Sequence, residues 1–147
     1  MNKFKILKRL IKEFRKIIRI LWYDIWGVFF ITIKQYGLAE KVFKRGLDFS
    51  KRRYPEFVDS FTTWIIFTYD YRGEKDKALK LLKTRIESKP EEAKYFLDLA
   101  DFYLFNNEKD LAIENYKKTL ELEKDEEQRY VIQAELNKIN EGGRDGL

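Results

Sequence analysis

A chain of 147 residues falls within the size range of one domain, and 44% hydrophobic residues suffice for a continuous core, so general disorder is excluded. With no Cys and no His, the chain cannot supply disulfides, thiolate nucleophiles, imidazole bases or the usual zinc, haem and iron–sulfur ligands; it also lacks a Walker loop, a Gly-rich dinucleotide turn and an Asp/Asn-rich calcium loop. The net charge of +5 conceals a polarity, 15 Lys/Arg against 4 Asp/Glu up to residue 53 and 15 against 21 beyond it, which suits an anionic surface, head-to-tail association, or folding of the basic end onto the acidic body.

Residues 3–34 contain no Pro and one glycine, Gly27, which predicts a single helical rod of roughly 45 to 50 Å. Phe4, Leu7, Ile11, Phe14, Ile18, Leu21, Ile25 and Val28 recur at alternating steps of three and four, and Ile6, Leu10 and Ile17 widen this heptad seam. The other side carries Lys3, Lys5, Lys8, Arg9, Lys12, Arg15, Lys16 and Arg19, with Glu13 the one acid before Asp24. Charges recurring up to Arg19 argue against a secretory signal. The most apolar run, 20–33, is 14 residues long and includes Asp24, too short and too polar for the roughly 20 residues of a spanning helix.

With two Pro and seven Gly in the whole chain, the remainder also reads as helices joined by short turns. Segments 59–92 and 93–126 superpose at a spacing of 34: Ile65 falls on Leu99, Tyr69 on Tyr103, Ala78 on Ala112, Leu82 on Tyr116 and Ile86 on Leu120. The intervening turns, Gly73-Glu74-Lys75-Asp76 and Asn107-Glu108-Lys109-Asp110, align as well. Upstream, Tyr23, Trp26, Gly27, Phe30, Ala39 and Phe43 form a further copy, offset by five extra residues expected near 50–57, where Pro55 ends one helix and opens the next. A polar closing helix is expected at 127–140, with Tyr130 and Ala134 in register, and a flexible tail at 141–147.

A pair of helices with a short Gly or Asn turn, repeated at this length, resembles the tetratricopeptide repeat. The pattern is carried by Phe96, Leu99, Ala100, Tyr103, Ala112 and Tyr116 in one copy, and by Thr62, Ile65, Ile66, Tyr69, Ala78, Leu82 and Pro90 in the one before. The resemblance implies an all-α fold, with antiparallel helix hairpins at 20–53, 59–92 and 93–126 stacked in a right-handed superhelix. Residues 1–19 form a basic amphipathic extension of the first helix. Ile66 and Arg85 stand where the family keeps small residues, and Lys124 replaces a terminal Pro, so a looser second repeat and a continuous helix from 120 onward are expected.

In this family the concave face is lined by the outward side of each first helix. That implies partner contacts at Asp24, Val28, Ile31, Thr63, Phe67, Asp70, Tyr71, Lys94, Leu97, Asp101, Leu104 and Phe105, an apolar and aromatic face with several carboxylates. Thr63, Phe67, Leu97 and Asp101 stand where a carboxylate clamp would need Lys, Asn or Arg, so a helical or extended protein segment is the expected partner. The N-terminal helix offers a second docking surface through Phe4, Leu7, Ile11, Phe14 and Ile18 with Lys8, Arg9, Lys12, Arg15 and Lys16. Its stripe suits packing on its own chain, a homodimer, a second protein or an anionic membrane, whereas nucleic acid leaves the apolar face unexplained. The expected function is a cytoplasmic, non-catalytic scaffold or assembly subunit without cofactor or metal. The alternative is a peripheral anchor on the cytoplasmic side of a membrane.

Overall fold

The computed structural model describes residues 3–141, and among these the chain forms only helices and the turns between them. They are α1 (Lys3–Thr32), α2 (Tyr36–Arg53), a single 3-10 turn (Pro55–Phe57), α3 (Val58–Tyr71), α4 (Lys75–Ser88), α5 (Ala93–Phe105), α6 (Lys109–Leu122) and α7 (Glu126–Glu141). The expected tail lies, beyond Glu141, outside the described residues.

Three turns are built alike. α1, α3 and α5 each end in a left-handed residue, Lys34 (φ 58°), Gly73 (φ 74°) and Asn107 (φ 61°). In each turn the amide of that residue donates to the carbonyl three back, and the next amide donates to the carbonyl five back. These bonds run from Lys34 to Ile31 and Gln35 to Phe30, Gly73 to Asp70 and Glu74 to Tyr69, Asn107 to Leu104 and Glu108 to Tyr103. This pairing satisfies the last helical carbonyls and reverses the chain. It stops α1 at Thr32, two residues short of the expected rod. The next helix starts at once in each case, with Ala39, Ala78 and Ala112 donating to Gln35, Glu74 and Glu108. All three alanines are fully buried, and so are Phe43, Leu82 and Tyr116 one turn later.

The chain divides into two compact units, Met1–Ala78 and Leu79–Leu147. In the first, α1, α2 and α3 pack antiparallel through two glycines. A methyl group on Gly27 would overlap the Phe43 ring, and one on Gly46 would come within 2.5 Å of the Phe61 ring. Phe43 cannot withdraw, because its other face stacks on Trp64 at 5.5 Å and 4°. Phe61 meets Tyr23 edge to face at 6.1 Å. Where the hairpin closes, Glu40 accepts hydrogen bonds from Lys44 (2.7 Å), the Tyr69 hydroxyl (3.0 Å) and Arg72 (2.5 Å). Burial works against this carboxylate, but the hydrogen bonds from Lys44 and Tyr69 hold it below its ordinary range. At the far end Tyr54 breaks α2, and Pro55 opens the 3-10 turn into α3.

In the second unit, Ala93, Tyr95, Leu99, Ala100, Phe102 and Tyr103 of α5 are buried, as are Tyr116 and Thr119 of α6. Arg85, which departs from the family pattern, is buried: its guanidinium lies 4.3 Å from the Tyr95 ring and pairs with Asp98 at 2.7 Å. A charge can occupy that place because a cation-accepting ring and a carboxylate surround it.

The continuous helix expected from 120 onward does not form. Glu123 turns extended (ψ 130°), its carboxylate takes the amides of Lys124 and Asp125, and Asp125 caps α7 by accepting the Gln128 amide at 2.9 Å. Arg129 donates to the carbonyls of Leu120 and Glu123, so the end of α6 is satisfied without a continuing helix.

Gly27→Ala should therefore lower the unfolding free energy by about 1 to 3 kcal/mol, the usual range for overpacking. Gly37→Ala, with open space around the new methyl, should be neutral or mildly stabilising. Urea denaturation of both variants checks the pair.

Candidate docking surfaces

Each residue of an α-helix advances roughly 100° about the axis, so the face on which α1 packs can be read from burial. Ile20 and Gly27 are buried, with Tyr23 and Phe30 half-buried between and beyond them, at steps of three, four and three. This is the face turned to α2: Tyr23 meets Phe49 and Phe61, and Gly27 receives Phe43. The heptad stripe lies elsewhere. Phe4 (60% exposed), Leu7, Ile11, Phe14 (64%), Ile18, Leu21, Ile25 (63%) and Val28 are all exposed, against 4% for Ile20. Its centre stands roughly 150° around the helix from the packing face. Within the first unit the stripe does not pack onto its own chain: the side held by α2 is another side.

Extended by Ile6, Leu10 and Ile17, the apolar arc spans roughly 160°. Lys8, Arg15, Arg19 and Lys12 follow along one edge of it. Lys16 is engaged, bonding Glu56 at 2.6 Å and lying 4.5 Å over the Tyr54 ring, and its pKa is raised chiefly by the Glu56 hydrogen bond. No carboxylate within salt-bridge distance partners Lys8, Lys12, Arg15, Arg19 or Arg53 among the described residues. The last turn of α2 adds Lys51, Arg52 and Arg53, cations placed where they complement the helix dipole.

Between this edge of α1 and the end of α2 runs a cleft of about 750 Å³. Phe49 and Tyr54, 5.3 Å apart, line it on the α2 side, and Ile11, Ile18 and Trp22 on the stripe side; Lys8, Lys12, Arg15, Lys16, Arg19 and Arg53 complete the wall. The Arg19 guanidinium sits 5.0 Å from the Phe49 ring centre. A neighbouring hollow of about 600 Å³ shares Arg19, Phe49, Arg53 and Tyr54 and adds Tyr23, Arg45, Arg52 and one acid, Asp48. The sequence pattern misses this cleft because Phe49, Arg53 and Tyr54 lie about thirty residues from Arg19 and Trp22, and Lys51, Arg52 and Arg53 read as an ordinary basic helix end.

The residues expected on a concave repeat face fare unevenly. In the first unit Val28 and Phe67 are exposed, Thr63 and Asp70 are half-buried, and Tyr71 is exposed with its ring stacked on Tyr36 at 6.1 Å. Asp24 is half-buried, and its Oδ1 is buried without a hydrogen-bond partner. In the second unit Lys94 and Phe105 are exposed and Leu97 is half-buried. Asp101 accepts the Tyr116 hydroxyl at 2.5 Å, a tie across the α5–α6 hairpin that occupies one of its oxygens. Burial raises the pKa of Asp101 despite that bond, and it raises Tyr116 as well. Among the described residues no cluster of acidic side chains could hold a metal ion, and no helix is long and apolar enough to cross a membrane.

Compared with protein-family models the chain matches none, and no curated protein matches it.

Asp24 gives a pH-dependent test of this geometry. Burial alone raises its pKa above the ordinary 3.8, so its charged form costs stability at neutral pH, and that cost disappears below the ordinary value, where the group is protonated folded or unfolded. Asp24→Asn should therefore raise the thermal midpoint at neutral pH. At about pH 3 the difference should vanish, which thermal unfolding monitored by circular dichroism will read.

Proposed function

We propose that the chain is a non-catalytic docking protein of tetratricopeptide type, with α1 as one attachment surface and the exposed side of α3 in the first unit and of α5 in the second as further ones. The observation that carries this reading is the exposed stripe of α1. A contiguous run of large apolar side chains, turned away from the face that packs on α2, is what a docking surface requires and what a self-contained domain avoids. The repeat reading is supported by the common turn at Lys34, Gly73 and Asn107, and by the buried Ala and large residue that follow each turn. These features are the packing reasons for the family pattern: a small residue admits the neighbouring helix and a large one fills the gap.

Phe67 and Tyr71 on α3, and Phe105 on α5, are exposed aromatics, of which Phe67 and Phe105 are suited to anchoring a protein segment. Separate attachment surfaces support a role in assembly.

The test is affinity capture from the native source with the full chain and two surface variants. Leu7→Glu with Phe14→Glu should abolish one set of bound partners, and Phe67→Ser another, each by at least about tenfold, equivalent to roughly 1.4 kcal/mol. Identical partner sets for all three proteins would reject the two-surface reading.

A further inference from the structure

We propose that α1 lies in the plane of an anionic membrane, its stripe among the acyl chains, and that the cleft between α1 and the end of α2 receives the phosphate of a lipid headgroup. This rests on the reading of α1 as a docking surface and names what that surface meets.

The shape and charge of the arc select this occupant. A two-stranded coil buries a narrow seam, whereas the apolar arc of α1 covers nearly half the helix circumference, the width of an interfacial helix. With Phe4, Leu7, Ile11, Phe14 and Ile18 as the seam, Lys8 and Arg15 flank one side and Leu10 and Ile17 the other. Parallel copies would set Arg15 against Leu10, and antiparallel copies would set cation against cation. Neither arrangement supplies the opposed charges that favour coiled-coil pairing. A plane of lipid phosphates supplies them all at once, because the cations lie along one edge of the arc, at the level where headgroups begin.

The aromatic residues agree with that level. Trp22, half exposed, lies at the same edge, where indole rings favour the boundary between acyl chains and headgroups. The α2-facing side, with Ile20 and Gly27, points away from the arc, so α1 can sink its stripe without releasing α2. The cleft opens beside this edge: Ile11 and Ile18 belong to both stripe and cleft wall, Trp22 lines the wall at the stripe's edge, and Arg19 and Arg53 approach from the two helices. Resting on Phe49, Arg19 is oriented before any ligand arrives, and a guanidinium is suited to bidentate contact with phosphate. Nucleic acid would use the cations and leave the arc in water. A spanning insertion is inconsistent with the charge on α1.

Flotation of the full chain with vesicles tests the inference, using phosphatidylcholine alone and phosphatidylcholine mixed with phosphatidylglycerol. The chain should float with the mixed vesicles at low salt, stay down with the neutral ones, and be released by high salt. Ile18→Glu should abolish flotation. Arg19→Gln with Arg53→Gln should weaken partitioning roughly 25-fold, about fivefold for each charge removed near the surface. Lys117→Gln with Lys118→Gln removes the same charge from α6 and should leave flotation unchanged. Inorganic phosphate at the ionic strength of the low-salt buffer should not displace the bound chain. Circular dichroism should be unaltered in every variant, since Ile18, Arg19 and Arg53 are exposed.

Failure to float with the mixed vesicles overturns the inference, as does equal weakening by the α6 pair or displacement by inorganic phosphate. Light scattering then separates the two readings. A dimer dissociated by Ile18→Glu would leave the docking reading standing with a second copy as occupant. A monomer that neither floats nor changes its captured proteins on Ile18→Glu would end both.

Discussion

The contact between Gly27 and the ring of Phe43 is the constraint from which the rest of the first unit follows. Because nothing projects from Gly27, the aromatic ring of α2 reaches the backbone of α1, and Trp64 of α3 closes over its other face. Gly46 and Phe61 repeat the device one layer on, between α2 and α3. Two glycines that would weaken isolated helices thus set the separation of three helices, and tertiary packing outweighs their low propensity. Glu40 at one end of α2 and Tyr54 at the other keep the helices in register.

That contact also decides which side of α1 is left over. Once Ile20, Tyr23, Gly27 and Phe30 face α2, geometry turns the heptad stripe outward, and the cations follow along its edge. The charge polarity of the chain then has a location. Positive charge concentrates where the first half of α1 meets the end of α2, with Lys16 neutralised by Glu56 and its neighbours without a carboxylate. The second unit holds a buried charge, Arg85, paired with Asp98, and at the exposed Asp101 a carboxylate oxygen accepts the Tyr116 hydroxyl.

Much of this was legible in the sequence, for identifiable reasons. Apolar steps of three and four predict α1, and the recurrence of Ala39, Ala78 and Ala112 predicts three second helices, because burial against a neighbour demands a small residue at a fixed place. Periodicity says which residues share a face but not which face the next helix takes; that comes from the repeat register, which sets Tyr23, Gly27 and Phe30 with Ala39 and Phe43, and burial follows it. The cleft escapes such reading, because it joins residues distant in the chain and no local pattern contains it. The break at 123–125 had a signal, Asp125 followed three residues later by Gln128, that the missing proline at 124 obscured.

The account depends most on the claim that the stripe of α1 faces away from its own fold, and the absence of native Cys makes this directly measurable. Single cysteines placed at Phe14, Ile18, Ile25 and Ile20 can be alkylated in water, at concentrations where light scattering reports a single chain. The first three should react at nearly the rate of the unfolded chain, and the cysteine at position 20 should react at least about tenfold more slowly, gated by local opening. Equal protection at all four positions would contradict the account, because the stripe would then be covered by the chain itself.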